Sequence, residues 1–277
     1  SADITLMEDG VLIAPAPYAS PSAYYFPRVS RMEGVEVRKG SSTIKFGPRT
    51  TSGALNLLAS SIPDEEEGKV TLGYGTDNTQ RGDFHYGNTV DNFGFVFDLG
   101  HESSDGFKSQ DGVGGDTGYS IQDVMGKFRV TTDASADIFQ SLELKLGFTQ
   151  EDSDETYLGL TNSDFRADPY RRYAGSQEDN MDSDHQTYQL RHFVDFGESD
   201  VTTTLYRHDF ARDWNKLQTS SVGGTRLSAA ASLGSANHLA ALRGNLNLDG
   251  STTDNLTLRH NNREYYSQGL QSDFATS

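Results

Sequence analysis

Cysteine is absent from the 277 residues, which removes disulfides and thiolate metal sites. No run approaches the ~18 consecutive apolar residues of a membrane helix, so no transmembrane helix is expected. Cations are in short supply, with 23 Lys and Arg against 40 Asp and Glu, and the net charge of −17 argues against a nucleic-acid partner. Apolar residues make up only 34% and mean hydropathy is −0.61, low for a soluble core. No Ser/His/Asp constellation stands out, and no catalytic site is expected. "DSDE" (152–155) and "DNMDSD" (179–184) lack calcium-loop spacing, "GVGGDTG" lacks the strand-to-helix setting of a phosphate loop, and the seven histidines are scattered, so no metal site or cofactor is expected.

What is present argues for an all-β protein. The 15 Phe, 13 Tyr and 28 Gly exclude the composition of disorder and suit strands with one apolar face. Two regions meet at "SSIPDEEEGK": residues 1–63 hold six of the seven prolines, and 64–277 hold long alternating strands. In "FGFVFDLGH" Phe93, Phe95, Phe97 and Leu99 share a face; in "SLELKLGFT" Leu142, Leu144, Leu146 and Phe148 oppose Glu143 and Lys145. "YQLRHFVDF" and "LRGNLNL" read the same way, while "VTTTLYRHDF" alternates weakly. The pattern predicts about nine strands of roughly ten residues, taller than the usual five or six. Short turns at 88–92, 131–137, 197–200 and 249–251 alternate with long acidic loops near 103–118, 151–185 and 213–236. An up-and-down meander places these at opposite ends, which describes an outer-membrane barrel better than a soluble sandwich.

Before that meander stands "VEVRKGSSTIKFGPRTTSGALNLL", a glycine-punctuated hairpin that concentrates Arg38, Lys39, Lys45 and Arg49 in an acidic chain. With "MEDGVLIAP" and "SIP" it resembles the second half of the plug domain of TonB-dependent outer-membrane receptors. "APYASPSAYYFP" and "YLGLTNSDFRADPYRRY" resemble the ferric dicitrate branch of that family. The resemblance implies residues 1–63 as the C-terminal part of a plug and 64–277 as the first strands of a barrel of about 22. It implies plug–barrel contact by Arg38, Lys39, Lys45 and Arg49; the branch has arginines where Lys39 and Lys45 stand, and a lysine lacks the bidentate fork. A solvated hairpin surface is the plainer reading of these cations. A whole receptor would add a signal peptide, a TonB box, the first half of the plug and further strands, so an internal piece unable to close a barrel is expected.

By the same resemblance, the function is energy-coupled uptake of a ferric chelate, ferric citrate or another ferric siderophore, across a Gram-negative outer membrane. The expected partners are the TonB–ExbB–ExbD complex, the ferric ligand and outer-membrane lipid, with iron carried as cargo. Arg166, Arg171 and Arg172 would offset the acidic surface and hold the chelate's carboxylates, unless they pair with Asp164, Asp168 or Glu178 to order their loop. Tyr18, Ser20, Ser22, Tyr24 and Tyr25 would supply hydroxyl donors from a plug apex, unless the tyrosines only pack. Haem, a vitamin or a glycan remain as other cargoes. A secreted acidic β protein binding carbohydrate or calcium remains as another class.

Overall fold

The computed structural model describes residues 4–13, 25–46, 50–112, 117–154 and 156–276, the side chains of Ser42, Ile44 and Lys45 excepted. In chain order the strands are β1 (Ile4–Glu8), β2 (Val11–Leu12), β3 (Met32–Arg38), β4 (Gly53–Ala59), β5 (Glu67–Tyr74), β6 (Gln80–Val90), β7 (Phe93–Ser104) and β8 (Ser109–Gln110). They continue as β9 (Tyr119–Thr131), β10 (Phe139–Ser153), β11 (Arg171–Arg172), β12 (Asn180–Asp195), β13 (Ser199–Val222), β14 (Thr225–Ser228), β15 (Asn255–His260) and β16 (Arg263–Thr276). Three short helices, α1 (Asn162–Ala167), α2 (Ala229–Ser232) and α3 (Ala236–Leu242), lie in the connections.

Two sheets carry the architecture. The first runs β2-β1-β4-β3, with β1 and β4 parallel. Its β1–β2 turn is Asp9-Gly10, both with positive φ, the dipeptide that a two-residue hairpin favours. The second is a ten-stranded antiparallel meander from β5 to β16, with β14 and β15 paired to the upper part of β13. Eight of its strands run the full height: β5, β6, β7, β9, β10, β12, β13 and β16. The turns Asp91-Asn92, 132–138 and 196–198 fall at one end, and the short 75–79 turn and the long connections fall at the other.

The large sheet is inside-out relative to a soluble protein. Phe93, Phe97 and Leu99 are exposed, while Val96 and Asp98 between them are buried. On β10, Leu142, Leu144, Leu146 and Phe148 face outward, and Lys145, at 2% exposure, faces in. Further round, Tyr188 and Leu190 are outward and Thr187 and Gln189 buried. Aliphatic and aromatic groups therefore coat the convex face, and polar groups fill the concave one. This is the arrangement a lipid-embedded barrel wall requires.

The small sheet sits against the concave face. Leu6, Ile13, Tyr25 and Leu57 cluster with the wall residue Phe210, and Tyr265 packs beside them. The segment joining the sheets lies on two wall glycines. A Cβ on Gly87 would fall 2.7 Å from Pro63, and one on Gly94 2.6 Å from Ile62. The Thr89 hydroxyl donates to the Pro63 carbonyl at 2.6 Å.

Two expectations give way here. "LRGNLNL" is not a strand: Leu242 ends α3, an alanine- and leucine-rich turn, and the residues after it are irregular. The turn at 249–251 consequently lies at the long-loop end, within one excursion from Val222 to Arg263. That excursion shares a small core with the 154–179 loop and the upper part of β13, made of Leu158, Tyr173, Leu217, Ala229 and Leu242. "VTTTLYRHDF" belongs to β13, the longest strand.

Leu144→Arg, at mid-height of the outward face, is expected to lower the unfolding free energy in a bilayer by about 2–4 kcal/mol. Gln140→Arg, near the tight-turn edge of the same face, is expected to cost about 0–1 kcal/mol. Denaturant titration of the full-length protein refolded into lipid vesicles checks both.

Candidate functional site: a buried ionic seat between the sheets

The Asp9-Gly10 turn carries Glu8 and Asp9 on a short, rigid hairpin and aims them at the wall. Glu8 accepts from Arg31 Nη1 and from Lys145 Nζ, each at 2.5 Å. Asp9 Oδ2 pairs with Lys145 at 2.7 Å and Lys127 at 3.0 Å, and its Oδ1 accepts from the Ala59 amide. Arg191 donates to the Asp9 carbonyl, and Lys127 to the Ala59 carbonyl at 3.3 Å. Arg31 Nε donates to Asp123 Oδ1 at 2.8 Å, whose other oxygen accepts from Thr149 at 2.6 Å. Three carboxylates and four cations thus interlock across the two sheets.

Register explains how the wall presents these groups. Lys127 on β9 is directly opposite Lys145 on β10, and both occupy inward positions of the alternation. Two like charges facing each other would repel. The Glu8-Asp9 pair supplies the counter-charge. Burial alone would raise the Glu8 pKa, but Lys145 and Arg31 outweigh it and hold the carboxyl well below the usual range.

Two flanking contacts extend the seat. Tyr25 stacks on His185 with ring centroids 3.6 Å apart, and its hydroxyl accepts from Arg31 at 3.4 Å. Arg28 reaches Asp83 at 3.4 Å and Glu102 at 3.2 Å, and Gly100 leaves room for its guanidinium.

Two of the four expected plug cations are among the described side chains. Arg38 is exposed at the end of β3, 3.8 Å from Glu36, and Lys39 is exposed beside it. Arg49 and the Lys45 side chain lie outside the described residues, as do Tyr18, Ser20, Ser22 and Tyr24. Sequence reading missed the seat itself, although Lys145 was on the polar face of its strand. Its visible signals were the acidic pair in "MEDG" and lysines at inward positions of "VMGKFRV" and "LELKLGF".

At the loop end Arg171 ties its loop to the neighbouring one, and Arg172 bonds within its own. Arg171 donates to both oxygens of Asp111 at 2.9 Å and to Asp164 at 3.3 Å. Arg172 donates to Thr156, to the Pro169 carbonyl and to the Arg171 carbonyl. Arg166 is exposed on α1, with no ion pair among the described residues. Asp164 is the hub. It accepts from Arg243 at 2.6–2.7 Å and from the Tyr173 hydroxyl at 2.6 Å, which together draw its pKa down to about 2.

Lys145→Met removes the cation that Glu8 and Asp9 share, leaving Glu8 to Arg31 and Asp9 to Lys127, and is expected to weaken small-sheet docking by up to about 3 kcal/mol. Adding Glu8→Gln should return part of that loss, a coupling that hydrogen exchange over residues 4–13 in the full-length protein would read. The Asp164 pKa lies below the ordinary value near 4, so its contribution is complete above about pH 4 and lost as pH falls through about 2. Protease sensitivity of the 154–179 loop should rise across that window, and Asp164→Asn should show the rise already at neutral pH.

No family model matches the chain. Solved structures match at low identity. The ferric-catecholate import receptor Fiu from E. coli K12 is 14% identical with a TM-score of 0.66, over 98% of this chain and 39% of that one. The FrpB iron transporter from Neisseria meningitidis is 10% identical at TM-score 0.64, over 99% and 39%. The ferric citrate transporter FecA in its unliganded form is 15% identical at 0.52, over 100% and 46%. The chain therefore spans less than half the length of the structures it matches. Over that span, a strand-rich wall enclosing a seated inner sheet, its fold is that of the TonB-dependent ferric siderophore receptors.

Proposed function

We propose that the full protein is a transporter that carries a ferric chelate across the outer membrane of a Gram-negative bacterium. The observation that carries this reading is the ionic seat. A small sheet is held in a polar-lined wall largely by charged groups, which water can solvate once the sheet moves. Such a contact suits a plug that must stay put at rest and shift under load. The TonB–ExbB–ExbD complex is the partner that would supply the load, and the exposed apolar face is what would meet lipid. Iron is cargo in this reading and no resident cofactor is called for.

Ferric citrate is the cargo that the sequence resemblance favours. The likeness to Fiu, described as a ferric-catecholate receptor, makes an aromatic chelate the second candidate. On the loop side, Arg166, exposed on α1, would meet the ligand, and Arg171 and Arg172, bonded to neighbouring loop groups, would serve the shape of the rim. Tyr25 serves the seat, and the remaining apex hydroxyls, Tyr18, Ser20, Ser22 and Tyr24, would line the floor of the ligand site.

The test is equilibrium binding and uptake by the full-length receptor, using iron-loaded chelates with the iron-free forms as controls. Saturable binding of a loaded form, with uptake that stops when the proton-motive force is collapsed, is the expected outcome. Equal binding of loaded and iron-free forms, or uptake indifferent to de-energisation, would sink the reading. Arg166→Ala is expected to weaken chelate binding by roughly three- to tenfold without altering loop protease resistance.

A further inference from the structure

Below the seat, toward the tight-turn end, one row of the inner wall runs Arg-Glu-Arg across three strands. Glu143 on β10 is directly opposite Arg129 on β9 and directly opposite Arg191 on β12. All three occupy inward positions, one step of the alternation along from Lys127 and Lys145 of the seat. Directly opposed side chains start with Cβ atoms about 5 Å apart, within easy reach for a guanidinium and a carboxylate. Such a row would ordinarily close into ion pairs.

It stands open instead. Among the described residues the Glu143 carboxylate makes no hydrogen bond or ion pair. Both arginines are drawn to the inner sheet and its connection. Arg191 Nη2 donates to the Asp9 carbonyl, and its buried Nε takes no partner. Arg129 Nη2 is 4.0 Å from Asp64, on the segment joining the sheets. A cavity of about 370 Å³ lies among the three side chains, with Thr131 and Ser141 also in its lining, so they have room to turn. The neighbouring wall cations, Lys127 and Lys145, likewise take their counter-charges, Glu8 and Asp9, from the inner sheet.

Displacing the inner sheet would therefore take the Asp9 carbonyl from Arg191 and both seat carboxylates from the lysines, and would pull on the segment that carries Asp64. Glu143 is the carboxylate in register with both arginines. We propose that Glu143 is the catch of a two-position latch, open while the inner sheet is seated and closed on Arg191 and Arg129 when the sheet is displaced. The inference rests on the transport reading above and names the wall residue that stabilises the displaced state. Closing the latch offsets part of the cost of emptying the seat, and the latch must open again before the sheet returns. Glu143 is a positioning residue in this scheme and touches no cargo.

The sign of one substitution decides the matter. Hydrogen exchange of the amides in residues 4–13, measured on the full-length protein in bilayers at a urea concentration that leaves the barrel folded, reports the displaced population. Glu143→Gln is expected to slow that exchange about three- to tenfold, because it removes the closed latch and leaves the resting contacts as they are. Glu143→Asp should recover part of the wild-type rate. With Arg129→Gln and Arg191→Gln both in place, the further effect of Glu143→Gln should shrink below about twofold. Unchanged protection of β9, β10 and β12 confirms that the wall is intact. A carboxylate that steadied the resting structure would speed exchange when removed, and a solvated bystander would leave it unchanged; either result overturns the proposal. Energised uptake of ferric citrate and of a ferric tris-catecholate should slow by a similar factor in Glu143→Gln, with equilibrium affinities at the wild-type value, and uptake at the wild-type rate would overturn the proposal too. Wild-type uptake indifferent to de-energisation would sink the transport reading, and the exchange measurement, which uses no ligand, would still decide the latch.

Discussion

Placing Glu8 and Asp9 against Lys127, Lys145 and Arg31 determines where the small sheet sits, and with it which wall residues stay accessible above. Buried ions are a weak source of net stability, because the cost of removing their water offsets most of the attraction. An apolar interface of the same area would hold at least as firmly. The ionic one differs in its response to displacement. Once the carboxylates leave their partners, water takes over on both sides, and no apolar wall is left exposed inside the barrel. The apolar contact centres on Leu6, Ile13, Tyr25, Leu57 and Phe210, with Met32, Leu55 and Tyr265 packed beside them.

The inverted wall and the polar seat are one design seen from two sides. A strand has two faces, and here lipid requires one to be apolar, so every group that grips the inner sheet must come from alternate positions. Lys145 between Leu144 and Leu146 is the clearest instance. The loop end follows a different rule. Its connections fold on a small core around Leu158, Tyr173 and Leu242, tied by the Asp164 hub, so the loops form a structured rim.

Much of this was readable in advance because it is local. Alternation at 93–99 and 142–148 gave the outward and inward faces correctly, and the tight turns marked one end through 196–198. Local signals failed where two periods overlap. Leu242, Leu246 and Leu248 fit a period of two, yet the alanine-rich run before them makes a helical turn that buries Leu242. The seat was out of reach for a different reason: Lys145 and Asp9 are separated by 136 residues, and strand periodicity says which face a lysine takes without saying what it meets. The same limit applies to the Asp164–Arg243 contact, whose partners are 79 residues apart. The cation-rich hairpin was conspicuous in composition, but its described arginine, Arg38, stays exposed, while the cations in the seat stood singly within other motifs.

The short connection lying on Gly87 and Gly94 also sets a mechanical limit. Only residues 60–66 separate the end of β4 from the start of β5. Seven residues drawn fully straight span at most ~25 Å. The inner sheet is thus on a leash anchored in the wall itself. A displacement longer than the leash would unzip β5 from β6 one rung at a time, so travel of the inner sheet has to be short, or else proceed by its own unravelling.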